Sequence, residues 1–179
     1  MTNDIFLSPH FKLSEFVVSE TASRHGIDNT PPEEAVENLR RLCQGTLEPL
    51  REALQLPVVI TSGFRTKALN DRLAHSSERS QHMQGCAADF YVSCAAKPRF
   101  NAAEPRFKVQ GCREMLIKAF RLIITSPEID YDQLILYPNF IHVSYVSKER
   151  NRHNILKARS NGKLGYGKLS YANAILLNY

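Results

Sequence analysis

The run Ser80-Gln81-His82-Met83-Gln84-Gly85-Cys86-Ala87-Ala88-Asp89-Phe90 sets a histidine and a carboxylate seven positions apart, with a glycine and small residues between them. His82 and Asp89 are too far apart for one helix to bring them together. They fit a loop that enters a strand: Gly85 lets the backbone turn tightly, Ala87 and Ala88 leave room, and 87–92 reads as the strand. Downstream, Phe140-Ile141-His142-Val143-Ser144-Tyr145 alternates as a strand does and carries a second histidine. His82, Asp89 and His142 are three ligands of the kind a catalytic zinc takes, with a fourth position left for water.

Residues 131–137 and 140–146 read as a hairpin closed by Pro138-Asn139. A two-residue loop sets Tyr137 opposite Phe140, Ile135 opposite His142 and Gln133 opposite Ser144, all on one side. Leu134, Leu136, Ile141, Val143 and Tyr145 share the other side, which is the expected core face. Asp132 falls on that core face by the same count. Upstream, 56–62 is a short β-branched run, and Ser62-Gly63-Phe64-Arg65 puts an arginine on the turn after it. Thr30-Pro31-Pro32-Glu33 is a helix start, with Thr30 as the cap. The stripe Val36, Leu39, Cys43, Leu47, Leu50, Leu54 is one apolar helix face, to be bent or split by Gly45 and Pro49. Residues 11–26 form a short entry element, with Ser14 or Ser19 as a cap and Gly26 as the stop. Residues 67–75 have helix character, His75 is a loop residue, 94–110 reads as an insertion, 111–125 as a second amphipathic helix, and 150–158 as helical. The tail, 159–179, is glycine-rich and then apolar, and is either a packed tail or a last strand. The whole chain, 1–179, reads as one domain with its core at about 11–158.

The chain has 179 residues, 43% hydrophobic and 23% charged, enough for one domain with a real core. No apolar run is long enough for a membrane span. The first residues lack a basic start followed by an apolar stretch, so no signal peptide is expected and the protein is cytoplasmic as synthesised. The formal charge of +5 suits anionic partners. The lysines and arginines are scattered rather than massed among aromatics, so no nucleic-acid partner is expected. Cys43, Cys86, Cys94 and Cys112 make no C-x-x-C pair, which argues against a thiolate zinc site and for free thiols. Cys86 reads as a small packed residue.

Taken together, Ser62-Gly63-Phe64-Arg65, the SQHMQGCAAD stretch, Asp132-Gln133-Leu134-Ile135 and Phe140-Ile141-His142-Val143-Ser144 resemble the M15 family of zinc peptidases. That family includes D-alanyl-D-alanine carboxypeptidases, dipeptidases and phage endolysins, and the likeness is to its small bacterial and phage-like branch. The resemblance implies an α+β fold of the Hedgehog/DD-peptidase type, with helices packed on an antiparallel sheet. It also implies one zinc ion on His82, Asp89 and His142, and a peptidoglycan stem peptide as substrate, reached after release from the cell. Arg65 would hold the substrate's carboxylate or carbonyl oxygen. Ser62, Ser80, Gln81, Gln133 and Ser144 would support the site or the substrate.

One position departs from the family pattern. A glutamate or aspartate usually stands three residues before the last zinc histidine and takes the proton from water. Here that position is Asn139, whose amide can hydrogen-bond a water but cannot serve as its base. Tyr137, on the face of His142, can assist electrostatically, and Glu149 or Glu104 could swing in. Two readings follow: a zinc peptidase cutting stem peptides by carboxypeptidase or endopeptidase action, and a metal-binding relative of low activity that binds wall or serves a phage as an accessory protein.

Overall fold

The computed structural model describes residues 4–74, 76–93, 113–158 and 165–177. His75, the 94–110 insertion, Cys94, Cys112 and the 159–164 part of the tail lie outside the described residues.

A small ribbon, β1 (Phe6–Ser8) and β2 (Phe11–Lys12), leads into two short helices, α1 (Leu13–Val17) and α2 (Glu20–His25). Ser19 caps α2 by accepting from the Ala22 amide, and Gly26 ends it at φ +62°. Ser14 instead sits inside α1, where its hydroxyl donates to Asp4. The long apolar stripe is split as its Gly45 and Pro49 require. It forms α3 (Glu33–Leu42), a π-helical stretch (Cys43–Leu47) and α4 (Glu48–Leu54), with Pro49 in the first turn of α4. Leu39, Cys43, Leu47, Leu50 and Leu54 are all buried. Thr30 does not cap α3. The helix begins after Pro32, and the Thr30 hydroxyl donates to Asp28 at 2.6 Å, a nearer acceptor.

The chain then runs through β3 (Val58–Ser62), α5 (Lys67–Arg72), a 3₁₀ turn (Gln81–Gln84), β4 (Ala87–Val92), α6 (Arg113–Thr125), β5 (Gln133–Leu136), β6 (Ile141–Ser144), β7 (Asn154–Ala158), β8 (Tyr166–Lys168) and α7 (Tyr171–Ile175). Six strands form one sheet in the order β3-β4-β6-β5-β7-β8. The architecture is α+β, but the sheet is mixed rather than antiparallel throughout, because β7 runs parallel to β5. Within the 150–158 segment, where a helix was expected, Asn154–Ala158 is therefore a strand and the residues before it are turn and irregular chain. Leu156, Lys157 and Ala158 favour helix locally, but the outer edge of β5 offers unpaired backbone groups that only a strand can satisfy. Beyond it, β8 pairs with β7, and α7 packs on α6 with Ala174 fully buried.

Alternation gives the central strands two unlike faces. Ala88, Phe90, Leu134, Leu136, Ile141 and Val143 point into the core with Leu39, Leu47, Leu116 and Phe120 of the helices. Asp89, His142 and Ile135 form one row across the other face, and Ala87, Ser144 and Gln133 form the next. The expected register of the β5–β6 hairpin is the observed one, and the Tyr137 amide donates to the Phe140 carbonyl to close it. No described helix is long and apolar enough to cross a membrane.

Candidate metal centre

His82 is held by its turn. Gly85 sits at φ +71°, and a Cβ there would lie 2.3 Å from the Ala35 carbonyl oxygen, so only glycine lets the turn close against α3. Asn38 braces the turn from α3 by donating to the Gln84 carbonyl at 2.9 Å. The imidazole is buried, 3% exposed, and its Nδ1 is 2.7 Å from the Gly63 carbonyl oxygen. A carbonyl can only accept, so Nδ1 carries the proton and Nε2 presents its lone pair to the site. Gly63 is itself wedged against α1, since a Cβ there would fall 2.6 Å from Phe16. The two glycines of the quoted motifs thus fix one candidate ligand.

Asp89 and His142 are set by register, as direct cross-strand partners on β4 and β6. The Asp89 Oδ1 lies 2.8 Å from His142 Nδ1 and 3.4 Å from His82 Nε2, and the two imidazole nitrogens are 3.3 Å apart. A tetrahedral ion with bonds of about 2.0–2.1 Å spaces its ligands about 3.3 Å apart. Two of the three edges already have that length. The third is a hydrogen bond, and losing its one proton leaves both atoms as donors to a cation. His82, Asp89 and His142 are the metal-capable cluster found among the described residues.

The electrostatics suit a cation. Burial works to raise the Asp89 carboxyl, but the two imidazoles outweigh it and hold the group far below the usual carboxylate range, as an anion. Burial pushes His82 down against the pull of Asp89, which keeps it a neutral ligand. Arg65 donates from Nη2 to Asp89 Oδ2 at 3.3 Å, so the second carboxylate oxygen is engaged and Oδ1 is the one turned to the histidines. Ser62 Oγ accepts from both Nε and Nη2 of Arg65, at 3.3 and 3.2 Å, and orients it. Burial lowers the pKa of Arg65, yet a guanidinium keeps its charge.

The triad opens into a cavity of about 750 Å³ whose walls include Arg65, Ser80, Gln81, Gln133 and Tyr137. Ser62 and Ser144 are not among its lining residues, and Ser62 lines a neighbouring hollow. Ser144 is fully buried, accepts from the Gln133 amide at 3.1 Å and donates to Asp132 at 3.3 Å. Tyr137 stacks on Phe140, and its hydroxyl is 2.8 Å from that of Tyr166. Burial, with Tyr166, pushes its pKa up, so it remains a phenol. Asn139 is exposed and lines a separate hollow beside Arg113 and Lys157. Glu149 is exposed and is not a cavity residue, and Glu104 lies outside the described residues.

Asp132 does not point into the core. It precedes β5, where strand alternation no longer fixes its direction, and its carboxylate is drawn to the site side. There Oδ2 accepts from Gln81 at 2.9 Å and from Arg152 at 2.5 Å, while Oδ1 accepts from Arg152 Nε at 2.8 Å. It is 1% exposed. Burial raises its pKa, but the Arg152 and Gln81 hydrogen bonds prevail and bring it down to about 2. Sequence reasoning missed this hub and the cavity arginines 79, 150 and 152. The Asp132-Gln133 pair at a strand start was the one local signal for it.

The family model described as Peptidase M15 matches residues 9–124, which takes in Arg65, His82 and Asp89 and stops short of His142. The comparison with curated proteins gives no match. Since the matched stretch spans well over half of the 179 residues, and the histidine beyond it closes the same triangle of ligand atoms, this chain belongs to the peptidase M15 family.

Proposed function

We propose that the protein is a zinc-dependent peptidase of the Hedgehog/DD-peptidase fold, acting on peptide bonds of peptidoglycan stem peptides in the manner of a D-Ala-D-Ala carboxypeptidase or endopeptidase. The observation that carries this reading is the near-tetrahedral spacing of His82 Nε2, Asp89 Oδ1 and His142 Nδ1 at the floor of a peptide-sized cavity. Zinc on these three atoms supplies Lewis acidity toward a peptide carbonyl and toward water. Arg65, oriented by Ser62, holds the substrate's carboxylate or carbonyl oxygen through charge-assisted hydrogen bonds. Gln81 and Gln133 offer amides to the peptide backbone, and the Tyr137 phenol is a neutral donor at the wall. Ser80 starts the turn that carries His82, and Ser144 steadies the far side.

A second reading is a metal-binding relative of low activity. It is favoured by a specific observation: among the described residues, the carboxylates lining the cavity are Asp89 and Asp132. Asp89 belongs to the ligand set, and Asp132 is saturated by Arg152, Gln81 and Ser144. Neither is free to take a proton from water. The test is to measure zinc by elemental analysis in the purified protein and in His82→Ala and His142→Ala. Release of D-alanine from a D-Ala-D-Ala peptide, and clearing of purified wall, are then followed with and without a chelator. One equivalent of zinc with chelator-sensitive turnover supports the peptidase. Zinc without turnover supports the second reading, and no zinc in the wild-type protein refutes both.

A further inference from the structure

The lining of the cavity is cationic, and its charges are unevenly used. Four arginines, at 65, 79, 150 and 152, line the cavity against two aspartates, 89 and 132. Arg65 is paired with Asp89, and Arg152 with Asp132. The guanidinium groups of Arg79 and Arg150 form no ion pair among the described residues, and both side chains are exposed at the cavity. Their loops are not independent. Asp132 bonds Gln81, two residues after Arg79, and also Arg152, two residues after Arg150. One buried carboxylate therefore ties both loops to the sheet and neutralises Arg152, leaving the Arg79 and Arg150 guanidinium groups without an acidic partner among the described residues.

Resting on the peptidase reading above, we infer that this lining selects an acidic peptide: Arg79 and Arg150 bind a second carboxylate of the substrate, distinct from the group that Arg65 holds. In the same cavity, Tyr137 stacked on Phe140 with Tyr166 edge-on at 5.9 Å gives the peptide's apolar side a surface. The cavity admits a short peptide and not a duplex, so the preference is for a small acidic ligand rather than for any polyanion.

The experiment measures binding to the zinc-loaded, full-length protein by calorimetry. The two probes are a wall-stem pentapeptide with its glutamyl α-carboxylate free and the same peptide amidated at that carboxylate. The wild-type protein is expected to prefer the free acid by about tenfold, with the preference shrinking as salt rises. Arg79→Gln and Arg150→Gln should each reduce it by about threefold, and the double variant should bind the two peptides alike. Arg79→Lys should retain part of the preference, because the charge remains. Melting temperature and zinc content of each variant establish that it is folded and loaded. Equal binding of the two peptides by the wild-type protein overturns the inference while leaving the peptidase reading intact. Binding of neither peptide overturns both. Displacement of the acidic peptide by DNA at equal charge concentration shows a general polyanion surface and overturns the inference as well.

Discussion

Replacing Asp132 by asparagine keeps the side chain's shape and removes its charge. The carboxylate accepts from Arg152, Gln81 and Ser144, and the Arg152 and Gln81 bonds, working against burial, bring its pKa from 3.8 to about 2. A fall of that size corresponds to about 2.4 kcal/mol of folding free energy at neutral pH. The Arg152 side chain is 58% exposed, so water screens the main partner, and about 1.5 kcal/mol is the better figure. The sign follows from the depressed pKa. The contribution is complete above about pH 4, about half gone near pH 3, and lost below about pH 2. The amide brings an NH₂ group that faces the Arg152 donors, which adds a cost independent of pH. Urea unfolding of wild-type and Asp132→Asn protein, both stripped of metal, measures the gap at several pH values. Taking the difference cancels every other titrating group that the two proteins share. The gap is expected to be at least about 1.5 kcal/mol between pH 5 and 7, and to narrow by about half of that charge contribution by pH 3. A gap that stays constant from pH 7 to pH 3 would refute the assignment of Asp132 as a buried, charged hub.

Gly85→Ala should destabilise the fold by at least about 2 kcal/mol, seen as a lower melting temperature, because the new Cβ meets the Ala35 carbonyl at a positive φ. Zinc affinity should fall with it, because the same turn aims His82; unchanged affinity in the folded variant would sever that link. Asn139→Asp should change the hydrolysis rate by less than about twofold, since its side chain lines a different hollow from the triad. Tyr137→Glu places a carboxylate on the cavity wall and should raise the rate instead; the reverse ranking in a D-alanine release assay would show that the wall geometry has been misread. Chelation should lower the melting temperature yet leave the far-ultraviolet circular dichroism intact, because mass action removes only the metal's share of stability from a core that is built without it. Loss of secondary structure on adding a chelator would show that the ion is needed for folding.

The sequence was most legible where alternation or a steric demand acts locally. The hairpin register followed from a two-residue loop at Pro138-Asn139, and period-two alternation then delivered His142 to the side away from Leu134, Leu136, Ile141 and Val143. Gly85 announced a tight turn, and the split of the 33–54 stripe followed from Gly45 and Pro49. Where the outcome depends on a partner distant in the chain, local reading failed. Leu156 to Ala158 became a strand because the edge of β5 was unfilled. Thr30 gave up its cap to a nearer acceptor in Asp28. Asp132 was turned by Arg152 and Gln81, neither of which its neighbours in the chain foretell. Asn139 occupies the position where the family places its base, yet the turn that closes the hairpin carries it to another hollow.

The candidate metal centre draws on two kinds of constraint, and they fail differently. Asp89 and His142 come from sheet register, and a slip of one residue between β4 and β6 would exchange site face for core face along the whole strand. That slip would expose Ile141 and Val143 and bury an imidazole in their place, so the hydrophobic core itself defends the position of these two ligands. His82 has no such protection. It stands on a short 3₁₀ turn outside the sheet, held by the Gly63 carbonyl, the glycine conformation at Gly85, the Asn38 bond, the Gln81–Asp132 bond and the Arg65 amide, which donates to the His82 carbonyl. Substitutions that leave the core untouched can therefore remove this third ligand, whereas losing the other two requires disturbing the fold or the ligand itself. The steric demands at Gly63 and Gly85 are what add a third metal-capable atom to a two-residue pair on a sheet.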